Sequence, residues 1–460
     1  MRARILIEAG VAETRACLLE DERVTELRRL PAAGDAPDAF EYGALYCGRV
    51  RAVSRSPSGA FIDIGGAVPA FLPLKGKRKV QEGARLIVQI AAEAYGEKGA
   101  RVTDRPVLPS ARTAFAPGGE GLGASRRLQG EAKDRALRAL SEAVARAGAG
   151  AAGRWSARTD SAADDVDQDI ETLCDRWRAI QLAGETASIG DQLGPPLGPE
   201  DAILRDWLPL ALSADEAEIV LGGAAPGAGL GDAGLPLRRH SGRVPLLEAE
   251  GAEAAWDDAI AEVLALSGGA SLKIAETEAA TLIDVDAGGA ASAAANREAA
   301  TAAARWARLR GIGGQVIVDF VGDRRSIQRA EVRRAFEAAA KLDPAGFEIG
   351  GFTRLGLFEA IRPRSRRSWL QALTEPAGAG PVLGRRLTMD AVSKTAIRAL
   401  ERALRAEPAA RLRLDLGEAA AHYFEERPAW TARLAERYGR RFEIAAAAGR
   451  GRESFDVSPF

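Results

Sequence analysis

Two stretches of the chain run apolar and then end on a carboxylate: Thr281-Leu-Ile-Asp-Val-Asp-Ala-Gly-Gly289 and Gly313-Gly-Gln-Val-Ile-Val-Asp-Phe320. The β-branched residues before Asp284 and Asp319 favour strands. Between them Ala299, Ala303, Trp306 and Leu309 recur at helical spacing, so residues 296–310 predict a helix. Strand, helix, Gly-Gly turn and strand make a crossover between two neighbouring parallel strands. Upstream, Tyr46-Cys-Gly-Arg-Val-Arg-Ala-Val53, Gly59-Ala-Phe-Ile-Asp-Ile-Gly65, Pro69-Ala-Phe-Leu-Pro-Leu-Lys75 and Ala84-Arg-Leu-Ile-Val-Gln-Ile90 are short apolar segments separated by Gly and Pro turns. That is the pattern of a small barrel. Val166, Ile170, Leu173 and Trp177 predict an amphipathic helix over 164–180, and further helices are expected over 390–406 and 418–426. Residues 202–212, 219–221 and 252–266 suggest α/β elements around Gly-rich turns, with 222–234 a loop. Met1-Arg-Ala-Arg-Ile-Leu-Ile-Glu8 alternates as a short strand and lacks the long apolar segment of a signal peptide.

At 460 residues a single core is not expected, and three or four domains are. The absence of a long uncharged apolar run excludes a membrane span. Cys17, Cys47 and Cys174 lie far apart, form no metal-ligand pair, and suit buried positions in a reducing, cytoplasmic compartment. The two histidines, His240 and His422, each suit a surface or core position. The formal net charge is −1, yet the pull of a polyanion is local. Basic residues cluster at Lys75-Gly-Lys-Arg-Lys79, Arg126-Arg127, Arg324-Arg325 and Arg362-Pro-Arg-Ser-Arg-Arg367. Any one such run reads as a solvated face. Four of them beside a barrel point to nucleic acid.

Ligand sites in parallel sheets lie beyond the carboxyl ends of the strands. Asp284 and Asp319 held there suggest magnesium, a hard cation that takes oxygen ligands. The plainer reading is that both cap the turns that follow. Alternation puts Asp286 on the same strand face as Asp284, and like charges so close repel unless a cation neutralises them. In the barrel, Phe61 and Phe71 fall on adjacent strands; they either fill the core or offer bases a stacking platform of roughly 1–3 kcal/mol per base. Arg158-Thr159, after Trp155-Ser-Ala, reads in isolation as a strand end with a surface arginine.

Ser267-Gly-Gly-Ala-Ser-Leu-Lys-Ile-Ala-Glu-Thr-Glu-Ala279 leads into Ile283-Asp-Val-Asp286. Asn296-Arg-Glu-Ala-Ala300, Arg308-Leu-Arg-Gly-Ile-Gly-Gly314, Val318-Asp-Phe320 and Arg354-Leu-Gly-Leu-Phe-Glu359 follow. In these ordered words, and through nearly all its length, the chain resembles the ribonuclease E/G endoribonucleases. The resemblance implies an α/β multidomain protein: an RNase H-like domain from residues 1–36 and 186–268, an inserted OB-fold RNA-binding barrel at 37–106, and a 5′-sensor region at 107–185. A DNase I-like catalytic domain at 269–373, a degenerate zinc-link segment at 374–385 and a small C-terminal α/β domain at 386–460 complete it.

The same resemblance assigns roles. Asp284 and Asp319 match the family's metal-ligating aspartates, while Asp286 stands where an Asn usually orients a ligand. Gly322 occupies a position where many members carry a further Asp, with Asp323 one place later. Arg354 and Arg362 are expected at the scissile phosphate, and Phe61, Phe71 and Lys98 facing RNA. Arg158 and Thr159 match the pair that binds a 5′-terminal monophosphate, where a guanidinium fork suits phosphate oxygens. A Gly-rich turn at Gly123 would add backbone N–H donors. The family shares a zinc ion between two subunits through a Cys-Pro-x-Cys motif; residues 374–385 contain neither Cys nor His, so no zinc is expected and any homodimer is not zinc-bridged. The chain stops at Phe460, without the long scaffold some members use to recruit partners. The expected activity is magnesium-dependent cleavage of single-stranded, 5′-monophosphorylated RNA in rRNA maturation or mRNA decay. The alternative, suggested by the missing cysteines and by Asp286, is an RNA-binding paralogue with weakened cleavage. A DNA-processing nuclease is disfavoured by the RNA-type barrel.

Overall fold

The computed structural model describes residues 1–460 apart from 33–34, 36–39, 75–78, 126, 162, 195–198, 226–233, 323–327 and 379–383. The basic positions Lys75, Lys77, Arg78, Arg126, Arg324 and Arg325, and Asp323, lie outside the described residues. The chain divides into two compact units, one of Met1–Ala3, Ala36–Glu218 and Gly227–Pro236, the other of Arg4–Asp35, Ile219–Pro226 and Leu237–Phe460. No helix among the described residues is long and apolar enough to cross a membrane.

Three strands open the chain: β1 (Arg2–Ala9), β2 (Glu13–Glu20) and β3 (Arg23–Pro31). The first two are buried along almost their whole length, as central strands covered on both faces are. The predicted barrel follows as β4 (Leu45–Arg55), β5 (Ser58–Asp63), β6 (Ala70–Pro73), β7 (Arg85–Ala92) and β8 (Arg101–Thr103). The order is β4-β5-β6-β8-β7, and pairing of β4 with β7 closes the ring, an OB-like arrangement. Val50, Ile62, Leu72, Val88, Ile90 and Val102 fill it.

Residues beyond the barrel form β9 (Leu108–Pro109), β10 (Thr113–Ala116), β11 (Gly121–Ala124), α1 (Gly130–Ala147), β12 (Arg154–Ala157) and α2 (Ala163–Thr186). The sheet order is β11-β12-β10-β9. Val166, Ile170 and Leu173 are buried as their spacing predicts, in a core with Phe115 and Trp155, whose rings stack at 4.3 Å. The Gly-rich stretch at Gly123 differs from expectation. It is the edge strand β11, paired in parallel with β12 so that Gly123 stands opposite Ser156, and not a turn. The glycines let this strand lie close under the Arg154 and Ser156 side chains, since a Cβ on Gly123 would stand 3.1 Å from the Arg154 guanidinium.

The first unit also holds β13 (Gln192–Leu193), which pairs with β4, and α3 (Pro199–Ala211). Then β14 (Glu216–Gly223) and β15 (Leu237–Arg239) return to the opening strands, giving the order β15-β14-β1-β2-β3. The opening strands and residues 216–223 and 237–239, far apart in sequence, therefore share one sheet. The short helices α4 (Leu246–Ala249) and α5 (Ala254–Asp258) bury Leu246, Leu247 and Trp256 against Leu6, Cys17 and Leu27.

The sheet that carries the acidic stretches starts at β16 (Val263–Ala265), upstream of residue 269. It continues through β17 (Ser271–Glu276), β18 (Ala280–Asp286), α6 (Ser292–Leu309), β19 (Gly314–Asp319), α7 (Gln328–Ala340), β20 (Glu348–Phe352) and β21 (Phe358–Arg362). The strand order is β16-β17-β18-β19-β21-β20, with β18 and β19 parallel neighbours joined by α6, the crossover that the apolar pattern predicts. Ala299, Ala300, Ala303, Ala304 and Ala307 form a small-residue stripe by which α6 packs on Ile283, Val285, Val316 and Val318. Strict alternation in β18 leaves Leu282, Asp284 and Asp286 exposed on the opposite face.

The remaining elements are α8 (Trp369–Leu373), β22 (Thr374–Pro376), β23 (Arg385–Leu387), α9 (Met389–Ala406), β24 (Leu412–Leu416), α10 (Glu418–Glu425), α11 (Pro428–Tyr438), β25 (Phe442–Ala446) and β26 (Phe455–Pro459). Both predicted helices appear, as α9 and α10, and pack on the three-stranded sheet β25-β24-β26. The Pro/Gly segment at 374–385 is flanked by a paired β22–β23 ladder. Arg385 hydrogen-bonds the Thr374 hydroxyl (2.6 Å) and carbonyl (3.0 Å), and Glu375 accepts from Arg386 (2.9 Å) and Arg452 (2.7 Å).

Candidate functional site

Asp319 ends β19 and stands opposite Asp284, two residues before the end of β18, in the parallel ladder, where neighbouring strands lie about 4.8 Å apart. Both are exposed. On the other side of Asp284 the ladder places Lys273 of β17, which forms an ion pair with Glu262 at 3.3 Å. The row Lys273, Asp284, Asp319 thus crosses the open face. Asp286 shares that face, but one of its oxygens accepts from the Gly288 backbone N–H at 2.9 Å, so this carboxylate shapes its own turn. Gly322 adopts φ +107°, a conformation an aspartate there could hold only with strain.

No group of three or more His, Cys, Asp or Glu side chains converges among the described residues. The donor set at the strand ends is therefore two carboxylates with solvent access. It fits a hard cation that keeps several waters and takes its remaining ligands from a phosphate, and does not make a closed zinc or calcium cage.

The two expected phosphate-contacting arginines are placed differently. Arg354 sits exposed in the turn between β20 and β21, with no ion-pair or hydrogen-bond partner among the described residues. Arg362 turns inward. Its fork grips Asp343 at 2.6 and 3.2 Å, its Nη1 donates to the Ile312 carbonyl at 2.9 Å, and the Asp343 side chain is only 1% exposed. Arg364 likewise donates to the Gly313 carbonyl at 2.8 Å.

On the barrel, Phe61 and Phe71 are register partners across β5 and β6, with ring centroids 5.7 Å apart in an edge-to-face pair. The pair lies on the outer face: Phe61 is 40% exposed and the ring of Phe71 lies over Gly59, where a Cβ would come within 2.3 Å of it. Lys98 is exposed in the turn that leads into β8, bridged to Tyr95 through backbone hydrogen bonds. The register adds a residue that pattern reading missed. Arg101 stands beside Phe71 across β6 and β8, so one row reads Ala52, Phe61, Phe71, Arg101. Alternation in Arg101-Val-Thr103 was the available signal, because buried Val102 turns Arg101 outward.

Arg158 follows β12 and is not an ordinary surface arginine. Its backbone N–H donates to the Arg112 carbonyl at 2.7 Å and its guanidinium to the Ser110 carbonyl. Burial pulls its pKa below the usual arginine value, and neighbouring Arg205 adds to that, against the opposing pull of Asp206 and Asp169. Both carboxylates are engaged elsewhere, Asp206 by the Arg205 fork at 2.9 and 3.3 Å and Asp169 by Ser110 and Thr113. Among the described residues this partly desolvated cation has no carboxylate of its own, which suits an incoming anion. Thr159 is buried, with its hydroxyl 2.6 Å from that of Ser161. Arg154, exposed beside Gly123 on β12, is a second cation that motif reading passed over.

Fold and site together define a multidomain α/β protein with an OB-like barrel and a pair of exposed aspartates in register near the carboxyl ends of parallel strands. The pattern of the Ribonuclease E/G family matches residues 107–365, more than half of the chain, and the chain belongs to that family. It is 30% identical to ribonuclease E of Nostoc sp. (strain PCC 7120) over 363 residues, 70% of this chain and 51% of that protein. It is 29% identical to ribonuclease G of Haemophilus influenzae, over 76% of this chain and 78% of that one. With ribonuclease G of Escherichia coli (strain K12) the identity is 27%, over 80% and 81%. The chain thus spans about half of the ribonuclease E relative and about four fifths of the ribonuclease G relatives.

Proposed function

We propose that this chain is a magnesium-dependent endoribonuclease that cleaves single-stranded RNA, prefers a 5′-monophosphate end, and acts in the cytoplasm in rRNA maturation or mRNA decay. The observation that carries the reading is the register of Asp284 against Asp319 at the carboxyl ends of parallel strands, on an exposed face. Asp284 and Asp319 would hold the ion, and Asp286 shapes the turn beside them. Such an ion supplies Lewis acidity to a phosphodiester and makes water a better nucleophile. Arg354 offers an uncommitted guanidinium for the scissile phosphate. Phe61 and Phe71 stack bases, Lys98 and Arg101 hold backbone phosphate, and Arg158 with Thr159 receives the 5′ end.

Asp284→Asn and Asp319→Asn are expected to lower the cleavage rate of a short 5′-monophosphorylated RNA in magnesium by about a thousandfold or more, the scale on which a lost metal site acts. RNA affinity, measured by anisotropy, should stay near wild type, because binding is shared with the barrel. Either variant cutting at the wild-type rate refutes the metal reading. Wild-type protein that binds RNA and fails to cut it in magnesium assigns the chain to the RNA-binding alternative. Arg158→Ala should erase the preference for monophosphate over hydroxyl ends and leave a circular RNA unaffected; equal losses on both substrates would remove the 5′-sensor role.

A further inference from the structure

Three consecutive residues of α6, Asn296-Arg297-Glu298, run to three different neighbours. Asn296 is 4% exposed, and its side chain pairs with one residue as a strand would: Nδ2 donates to the Val321 carbonyl at 2.7 Å, and Oδ1 accepts from the Val321 N–H at 3.0 Å. That fixes the chain just past Asp319, ahead of Gly322. Glu298 accepts at one oxygen from the Ser267 N–H (2.7 Å) and hydroxyl (2.5 Å), holding the loop that enters β17. This loop abuts the turn built by Asp286, since a Cβ on Gly288 would lie 1.8 Å from the Gly269 carbonyl oxygen. Arg297 pairs with Glu331 of α7 at 3.0 Å.

One turn of a helix seated on the sheet by its alanine stripe therefore grips both backbone segments that border the acidic site. We propose that Asn296 and Glu298 are positioning residues of that site, setting the separation and aim of Asp284 and Asp319 toward a divalent cation. The inference rests on the metal reading above. Two carboxylates on neighbouring strands repel one another without a cation, and the frame that keeps them in place against that repulsion determines how well they receive one. Asn296 does this through backbone: without it, the Val321 N–H and carbonyl lose their partners beside a glycine already in a left-handed conformation. A purely structural amide would alter stability and leave ion affinity where it was.

The test is a manganese titration of the full chain followed by the electron paramagnetic resonance of the free ion, on wild type, Asp284→Asn, Asn296→Ala and Glu298→Gln, with circular dichroism and thermal melting alongside. Wild type should bind manganese and Asp284→Asn should not; failure of either contrast overturns the metal reading itself. Asn296→Ala should bind about 10–100-fold more weakly, the range typical of outer-sphere partners. Raising magnesium should then restore most of its cleavage rate while RNA affinity stays unchanged. Glu298→Gln, half-buried and still an acceptor, should show a smaller loss, matched by Ser267→Ala, which removes the hydroxyl donor from the same contact. Wild-type affinity in folded Asn296→Ala overturns the positioning role while leaving the metal reading intact. Should Asn296→Ala fail to fold, the Glu298→Gln and Ser267→Ala titrations decide, and wild-type affinity in both overturns it.

Discussion

Arg362 and Arg354 are both expected at the scissile phosphate and differ in what holds them. Arg362 is half-buried against a carboxylate that is fully buried, so removing it strands the Asp343 charge without its ion-pair partner. Breaking a buried pair from one side costs about 3–5 kcal/mol. Arg362→Ala should therefore lower the melting temperature clearly, with cleavage falling only as the folded fraction falls. Arg354→Ala removes an exposed side chain and should leave stability within about 0.5 kcal/mol. Its cleavage rate at saturating RNA should nevertheless fall by about a hundredfold, the effect of deleting one donor to a developing charge. Thermal melts and single-turnover cleavage on both variants separate the two roles, and an Arg354→Ala protein that cuts normally would leave the phosphate without this contact.

At the scale of elements, pairing builds sites that single strands do not contain. β18 alone offers a carboxylate on alternate positions; only beside β19 does Asp284 acquire Asp319. The barrel works the same way, with β5, β6 and β8 each contributing one member of the row Phe61, Phe71, Arg101. Phe61→Ala and Phe71→Ala should each weaken binding of a single-stranded RNA by roughly 1–3 kcal/mol with little change in salt dependence. Arg101→Ala should instead reduce the slope of log affinity against log salt by about one. Anisotropy titrations at several salt concentrations distinguish the two classes. An Arg101→Ala slope equal to wild type would take Arg101 out of the phosphate-contacting set.

For the whole molecule, packing of the C-terminal region is carried by ordinary side chains. In the second unit Glu13 of β2 is buried and takes charged hydrogen bonds from Arg29 of β3 and Arg398 of α9, and these arginines hold its carboxyl far below the usual range against the opposing effect of burial. The β22–β23 ladder is secured by Glu375 with Arg386 and Arg452. Residues 374–385 supply no thiolate or imidazole for a shared ion. Purified protein should accordingly contain no stoichiometric zinc, and any dimer seen by sedimentation should survive EDTA, since symmetric association needs only a self-complementary patch. About half a zinc per chain, the ratio of one ion to two subunits, together with dissociation on chelation, would overturn this.

Much of the architecture was legible in periodicity. Alternation and apolar runs marked β4 to β7, β18 and β19, and helical spacing marked α2 and α6, because burying one face of an element forces a period of two or about 3.6 on its own residues. The two aspartates were legible too, since an acidic residue closing an apolar strand is a local event. Local pattern could not say that Gly121–Ala124 is an edge strand, that Arg362 points at Asp343 while Arg354 stays open, that Arg101 completes the aromatic row, or that Asn296 holds Val321. Each of these depends on a partner brought near by folding, often from a distant part of the chain. A residue's own neighbours in sequence limit which way it can point, but what it meets there is set by the register and packing of elements the local pattern does not contain.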